Sequence, residues 1–178
     1  MRPSARRLVA GSLAILLLGL GACEGRGGEG ADCPVGPKPK TPSGFCLPRY
    51  VSLKRGEVFG RSGPGRDYPI VFTYHARALP VQVVDETIDW RRICDPDGGA
   101  AWVNRQEIDG RRTLMARAAA SLRRSPNESA AQVGTLNPRA LARLVRCNAD
   151  WCQVKVGGVQ GWMTVEQAWG VADARQCH

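Results

Sequence analysis

The chain has 178 residues, 23% of them charged, and a formal net charge of +9. That length admits one ordinary domain or two small ones. The positive charge is scattered (Lys38, Lys40, Arg111-Arg112, Arg123-Arg124) rather than gathered in one stripe. With an exported chain this excludes nucleic acid as the expected partner. It suits an acidic lipid surface, an anionic cell-wall polymer, or no more than a solvated exterior.

The first 22 residues read as a signal peptide outside any fold. Arg2, Arg6 and Arg7 make a basic start, and LVAGSLAILLLGL (8–20) is an apolar run of thirteen residues. Such a run is short for a bilayer span and right for a signal core. Leu20-Gly21-Ala22-Cys23 follows, and it resembles the bacterial lipobox. That resemblance implies cleavage before Cys23 and acylation of its thiol, hence a membrane-anchored lipoprotein facing the periplasm. The alternative is an ordinary signal peptide releasing a soluble periplasmic or secreted protein. Removing 1–22 takes away three arginines and no acid, leaving +6. Residues 23–48 are then the lipidated cysteine and a flexible Pro/Gly/Lys-rich tether.

Six cysteines remain: Cys33, Cys46, Cys94, Cys147, Cys152 and Cys177. An even number in an exported chain reads as disulfides. Cys33 and Cys46 bracket one loop and Cys147 and Cys152 a short turn, which leaves Cys94 with Cys177. Fifteen pairings are possible, so only the two local pairs carry weight. Zinc is the rival, but its usual spacings are absent and His75 and His178 are the only histidines.

Residues 59–71, FGRSGPGRDYPIV, raise the question of a phosphate loop. Pro64 removes a backbone donor. The β-branched and aromatic IVFTY that follows reads as a strand, where a phosphate loop needs a helix. The answer lies in a repeat. Arg61-Ser62-Gly63-Pro64 matches Arg123-Arg124-Ser125-Pro126, Asp89-Trp90 matches Asp150-Trp151, and Ala101-Trp102-Val103 matches Gly161-Trp162-Met163. The offsets are 62, 61 and 60, so two units of about sixty residues are expected. Each reads as all-β. Leu79, Val81 and Val83 alternate with Pro80 and Gln82, predicting one buried face; Ala140, Ala142 and Leu144 match them. Asp97-Gly98-Gly99 and Gly157-Gly158 predict turns. The Ala-rich 114–122 reads as the last strand of unit one running into unit two.

RSGPGRDYP followed by DW and GGAAWV resembles bacterial SH3-like (SH3b) domains, and LPRYVSLK (47–54) resembles the lead-in of a paired-domain subgroup. The resemblance covers about 48–172 and is weaker in the second copy, where Ser125-Pro126-Asn127 replaces Gly-Pro-Gly. It implies two tandem small SH3-like barrels, 49–117 and 118–172, and a C-terminal tail, 173–178. It also makes the Gly/Pro run the long loop after the first strand, with no phosphate bound.

No catalytic constellation, cofactor site or metal site is expected. Cys94 with His75 is the one Cys/His pair within a unit, and it supplies the hydrolase alternative. Resembled units accompany cell-wall Cys/His peptidases, but the peptidase domain is a separate block, and no such block remains here. Asp85-Glu86 and Asp95/Asp97 read as turn carboxylates. A binding role fits better. Tyr68, Tyr74, Trp90 and Trp151 are the aromatic candidates, with Arg66 and Asp67 for polar contacts, although a solvated loop tip is the plainer reading of that pair. Trp90 and Trp151 precede Ile93 and Val154 by three, so in a regular strand they face away from them. The alternative, which the gain from burial favours, starts each strand after its Trp and makes the ring a cover for the barrel's end. The expected ligand is a cell-wall peptide or glycan, or an envelope protein. A structural adaptor without a small ligand is the rival.

Overall fold

The computed structural model describes residues 41–172 and 174–177. The signal segment, Cys23, Cys33, most of the tether and His178 lie outside them. The described residues contain strands, turns and one 3-10 turn, and no helix among them is long and apolar enough to cross a membrane.

The strands form two antiparallel sheets of seven. The first contains β1 (Arg49–Leu53), β2 (Val58–Arg61), β3 (Ile70–Tyr74), β4 (Pro80–Glu86), β5 (Trp90–Cys94), β6 (Ala100–Asn104) and β7 (Ile108–Asp109). A 3-10 turn, Arg105–Glu107, joins the last two. Their order across the sheet is β3-β2-β6-β5-β4-β1-β7. The second contains β8 (Thr113–Ala116), β9 (Ala120–Arg123), β10 (Gln132–Leu136), β11 (Leu141–Cys147), β12 (Trp151–Val156), β13 (Val159–Thr164) and β14 (Ala168–Trp169). Its order, β10-β9-β13-β12-β11-β8-β14, repeats the first strand for strand. Each sheet has its own core, one around Val81, Val83, Ile93 and Val103, the other around Leu114, Leu122, Val154 and Met163.

The seam between the copies differs from expectation. β8 pairs with β11 and β14, so it opens the second sheet and does not close the first. The division falls between Asp109 and Thr113, ahead of the expected 117/118. Burial decides it: Leu114 and Ala116 fill the second core. The stretch 114–122 holds parts of two strands, broken between Ala116 and Ala120.

Expected turn chemistry is present. Gly157 and Gly158 have φ of +54° and +83° between the ladder partners Val156 and Val159. The alternation on β4 predicts one buried face, but Pro80, Val81, Gln82 and Val83 are all buried. The outer face is covered by the chain's own C-terminal segment. Gln82 Nε2 donates to Ala174 O at 2.8 Å, Gln176 N donates to Gln82 Oε1 at 2.8 Å, and Cys177 is disulfide-bonded to Cys94 beside them. Tyr50, Met115 and Trp169 form a further apolar cluster joining the copies, with Tyr50 and Trp169 edge to face at 5.2 Å.

Candidate functional site

The long loop of the first copy is built around one ring. A Cβ placed on Gly63 would lie 2.3 Å from Tyr68 and one on Gly65 3.2 Å away. These glycines make room for Tyr68, which packs on them and stays half-exposed. Ser62 N donates to Pro69 O and Gly65 N to Gly63 O, while Arg61 Nη1 donates to Tyr68 O at 2.7 Å. The second copy keeps the equivalents: Arg124 N to Ala131 O, Asn127 N to Ser125 O, and Arg123 Nη1 to Ala130 O. The loop shape thus survives the change from Gly-Pro-Gly to Ser-Pro-Asn.

A groove of about 390 Å³ lies beside this loop in the first copy. Phe59 and Arg61 enter from β2, Trp90 from the start of β5, and Arg66 from the loop; Arg55 and Glu107 close the far end. β5 starts at Trp90, so the ring lies half-buried on the face opposite the fully buried Ile93. This corrects the expectation that the strand starts beyond the Trp and the ring becomes core. Aromatic surface from Phe59 and Trp90, with guanidinium groups around it, gives stacking area and hydrogen-bond donors together.

The other candidates fall elsewhere. Tyr74 is a correction: it is buried in the first core, and its hydroxyl lies 3.1 Å from Asp95 Oδ2. Burial first, then the neighbouring Asp95 carboxylate, push its phenol well above the ordinary range, so it stays a neutral donor. Asp67 is exposed on the loop tip and does not border the groove. Trp151 starts β12 half-buried in the second copy. There the positions of Phe59 and Arg66 hold Ser121 and Glu128, so the aromatic and cationic lining is not repeated. Trp162 is buried, with Arg146 over its ring at 5.2 Å, and Trp102 is half-buried.

Cys94 is oxidised, bonded to Cys177, and His75 is exposed, 3.9 Å from Glu57. The hydrolase alternative therefore has no thiol. Cys147 and Cys152 are also bonded. Cys46 is disulfide-bonded, and its expected partner Cys33 lies outside the described residues. No group of three or more His, Cys, Asp or Glu among the described residues is placed to hold a metal ion.

Sequence reasoning missed Glu86, read as a turn carboxylate. Its side chain is 1% exposed. It accepts hydrogen bonds from Ser43 N at 2.8 Å and Arg49 Nη2 at 2.7 Å, also bonds Ser43 Oγ, and lies 3.1 Å from Arg91 Nε. Burial alone would raise its pKa, but the Ser43 and Arg49 hydrogen bonds outweigh burial and bring it down to about 2. Ser43 and Arg49 lie some forty residues away in sequence, and no local pattern marks such a partnership. Asp95, by contrast, does work as a turn carboxylate, accepting from Asp97 N and Gly99 N.

Among solved structures, the chain is similar to NlpC2 from Trichomonas vaginalis, with 8% identity and a TM-score of 0.32 over 70% of this chain and 49% of that one. NlpC1 from the same organism gives 8% and 0.32 over 70% and 46%. The matched region thus spans about half of either neighbour's length. No curated protein matches. The family model for the bacterial SH3 domain matches twice, at residues 54–110 and 116–170, each match taking in the long loop and the last six strands of one sheet and leaving out β1 or, but for Ala116, β8; the chain belongs to the bacterial SH3 domain family, in two tandem copies.

Proposed function

We propose that this chain is a non-catalytic binding protein of the cell envelope, anchored at Cys23 on the periplasmic face of a membrane. Its first copy recognises cell-wall peptide or glycan, or an envelope protein, in the groove between the long loop and Trp90. Bacterial SH3 domains are generally binding modules, which supports the class. The observation that carries the site is the meeting of Phe59, Trp90, Arg61 and Arg66 around one groove in the first copy, with Ser121 and Glu128 at the matching places of the second.

The test is retention of the purified chain on peptidoglycan sacculi. Trp90→Ala is expected to lower retention about thirtyfold, the size of an aromatic hot spot, and Trp151→Ala to leave it unchanged. Equal retention of both variants sinks the groove. Radiolabelled palmitate incorporation that survives Cys23→Ser would remove the anchor. The adaptor reading is favoured by two observations, the Cys94–Cys177 disulfide and the Tyr50–Met115–Trp169 cluster, which fix the copies together. It expects no retention on sacculi and co-purification with a protein instead.

A further inference from the structure

Charges scattered along the sequence gather at the seam between the copies. A cleft of about 260 Å³ lies where the first sheet ends at Asp109 and the second begins at Thr113. Three elements line it with arginine: the turn before β4 (Arg77), the link between the sheets (Arg111) and β11 (Arg143). Leu53, Leu141 and Ala142 give it apolar walls. Those walls are pinned across the seam, because Ser52 Oγ donates to Arg111 O at 2.6 Å and Thr113 Oγ1 to Ala78 O at 2.7 Å.

The barrel itself does not call for these arginines. Where the first copy has Arg77 the second has Pro138, each ahead of a turn residue with matching φ, +65° at Ala78 and +64° at Arg139. Where the second copy has Arg143 the first has Gln82, which is buried and holds the C-terminal segment. Arg111 stands on the link between β7 and β8, which a single copy lacks. The three arginines meet only because two copies are joined.

Among the described residues that line the cleft, Asp109 is the one carboxylate, and Arg111 already holds it through Nε and Nη2. Arg77 and Arg143 are exposed and make no ion pair or side-chain hydrogen bond with the described residues, so their N–H groups are open to a ligand. Three guanidinium groups against one carboxylate leave two positive charges, and apolar walls focus their field. We propose that this seam cleft binds a small phosphomonoester. Its charge of about −2 cancels the two unpaired guanidinium groups. A terminal phosphate also turns three oxygens toward three sides, where a carboxylate has two in one plane, and arginine forks suit such oxygens. The volume lies under the roughly 300–1,000 Å³ of sites for drug-sized ligands, which limits the ester to a short carbon chain lying on the apolar walls. The cleft shares no lining residue with the groove beside Trp90 and does not rest on the reading of that groove.

The test titrates glycerol 3-phosphate into the purified full chain at about pH 7.5, read by calorimetry and amide NMR shifts, where the ester is a dianion. It is expected to saturate with a Kd of at most ~1 mM and with shifts at Ala78, Thr113 and Arg143. Its methyl diester, a monoanion, is expected to bind at least about tenfold more weakly, as loss of a charge-assisted hydrogen bond implies. Arg77→Gln and Arg143→Gln are each expected to weaken the monoester about tenfold, and both are surface residues, so the variants keep the fold. Arg124→Gln, at an exposed arginine outside the cleft, leaves binding unchanged. Trp90→Ala also leaves it unchanged while lowering retention on sacculi, so failure of one site is told apart from failure of the other. Monomeric dihexanoyl phosphatidic acid separates the two sources of the ester: tighter binding than glycerol 3-phosphate assigns a lipid headgroup, and equal or weaker binding a free ester. Equal binding of monoester and diester, equal weakening by Arg124→Gln, or no saturation up to ~10 mM overturns the assignment.

Discussion

Gly60 and Gly161 show how the two copies trade volume at single positions. A Cβ on Gly60 would meet Ala101 Cβ at 2.7 Å, and one on Gly161 would meet Leu122 Cβ at 2.8 Å. Gly60 corresponds to Leu122 and Ala101 to Gly161, so each core has one glycine at this contact, on opposite strands. Gly161→Ala is expected to overpack the second core and cost about 1–3 kcal/mol in denaturant unfolding. Glu86 sets a second residue-scale expectation. Its folded pKa, about 2, lies below the ordinary 4.5. A depressed carboxylate stabilises the fold fully above the unfolded value and loses that contribution as pH falls toward the folded one. Stability is therefore expected to decline between about pH 4.5 and 2. In Glu86→Gln that part of the profile flattens. The variant is also less stable at neutral pH by about 3–5 kcal/mol, because two guanidinium groups are left without their carboxylate. An unchanged slope in urea unfolding at pH 5, 4 and 3 would refute this. The sequence offers Tyr74 as an exposed aromatic and Glu86 as a turn acid, and both are wrong for one reason. Each is buried by strands distant in the chain, and periodicity reports only a residue's own strand.

At the level of elements, local chemistry was readable and tertiary cover was not. Paired glycines announced the β12–β13 turn, and the Gly/Pro run announced a fixed loop, because both depend on backbone angles and ring packing within a few residues. Tyr68 seated on Gly63 holds the loop in its shape. Gly63→Ala is expected to expel that ring and displace Arg66 from the groove. Sacculus retention should then fall about tenfold while the unfolding midpoint moves little, since the loop lies outside the core. A large loss of stability with normal retention would contradict the assignment of the loop as part of the site. The outer face of β4 was not readable in advance. Gln82 looks like a solvent residue by alternation, and it is buried only because residues beyond the second copy return to it. At β5, Trp90 opens the strand, and its ring lies half-buried on the face opposite Ile93.

Across the whole molecule, the duplication was plain from three landmark pairs, since insertions between them were few. The division between copies was not, because β8 joins the second sheet through Leu114 and Ala116, whose apolar side chains carry no mark of which core they enter. The copies are then tied by a disulfide spanning 83 residues, against 5 for Cys147–Cys152. On chain-entropy grounds, removing Cys94–Cys177 with paired serines is expected to cost about 4–5 kcal/mol and removing Cys147–Cys152 about 2. Thermal unfolding of the two double variants checks the order. Arg139, in the second copy, meets Asp97, in the first, at 2.7 Å, but both are exposed, so Arg139→Ala should change stability by less than about 1 kcal/mol.

The same long disulfide has a mechanical consequence. If the molecule is stretched between its amino-terminal lead and Cys177, tension passes through the first barrel to Cys94 and crosses directly to Cys177. The second barrel hangs on a slack, covalently closed loop and bears no load. In a single-molecule pulling experiment the oxidised chain should give one rupture. Adding a reductant should release a second extension of roughly 290 Å, the contour length of the 83 residues set free.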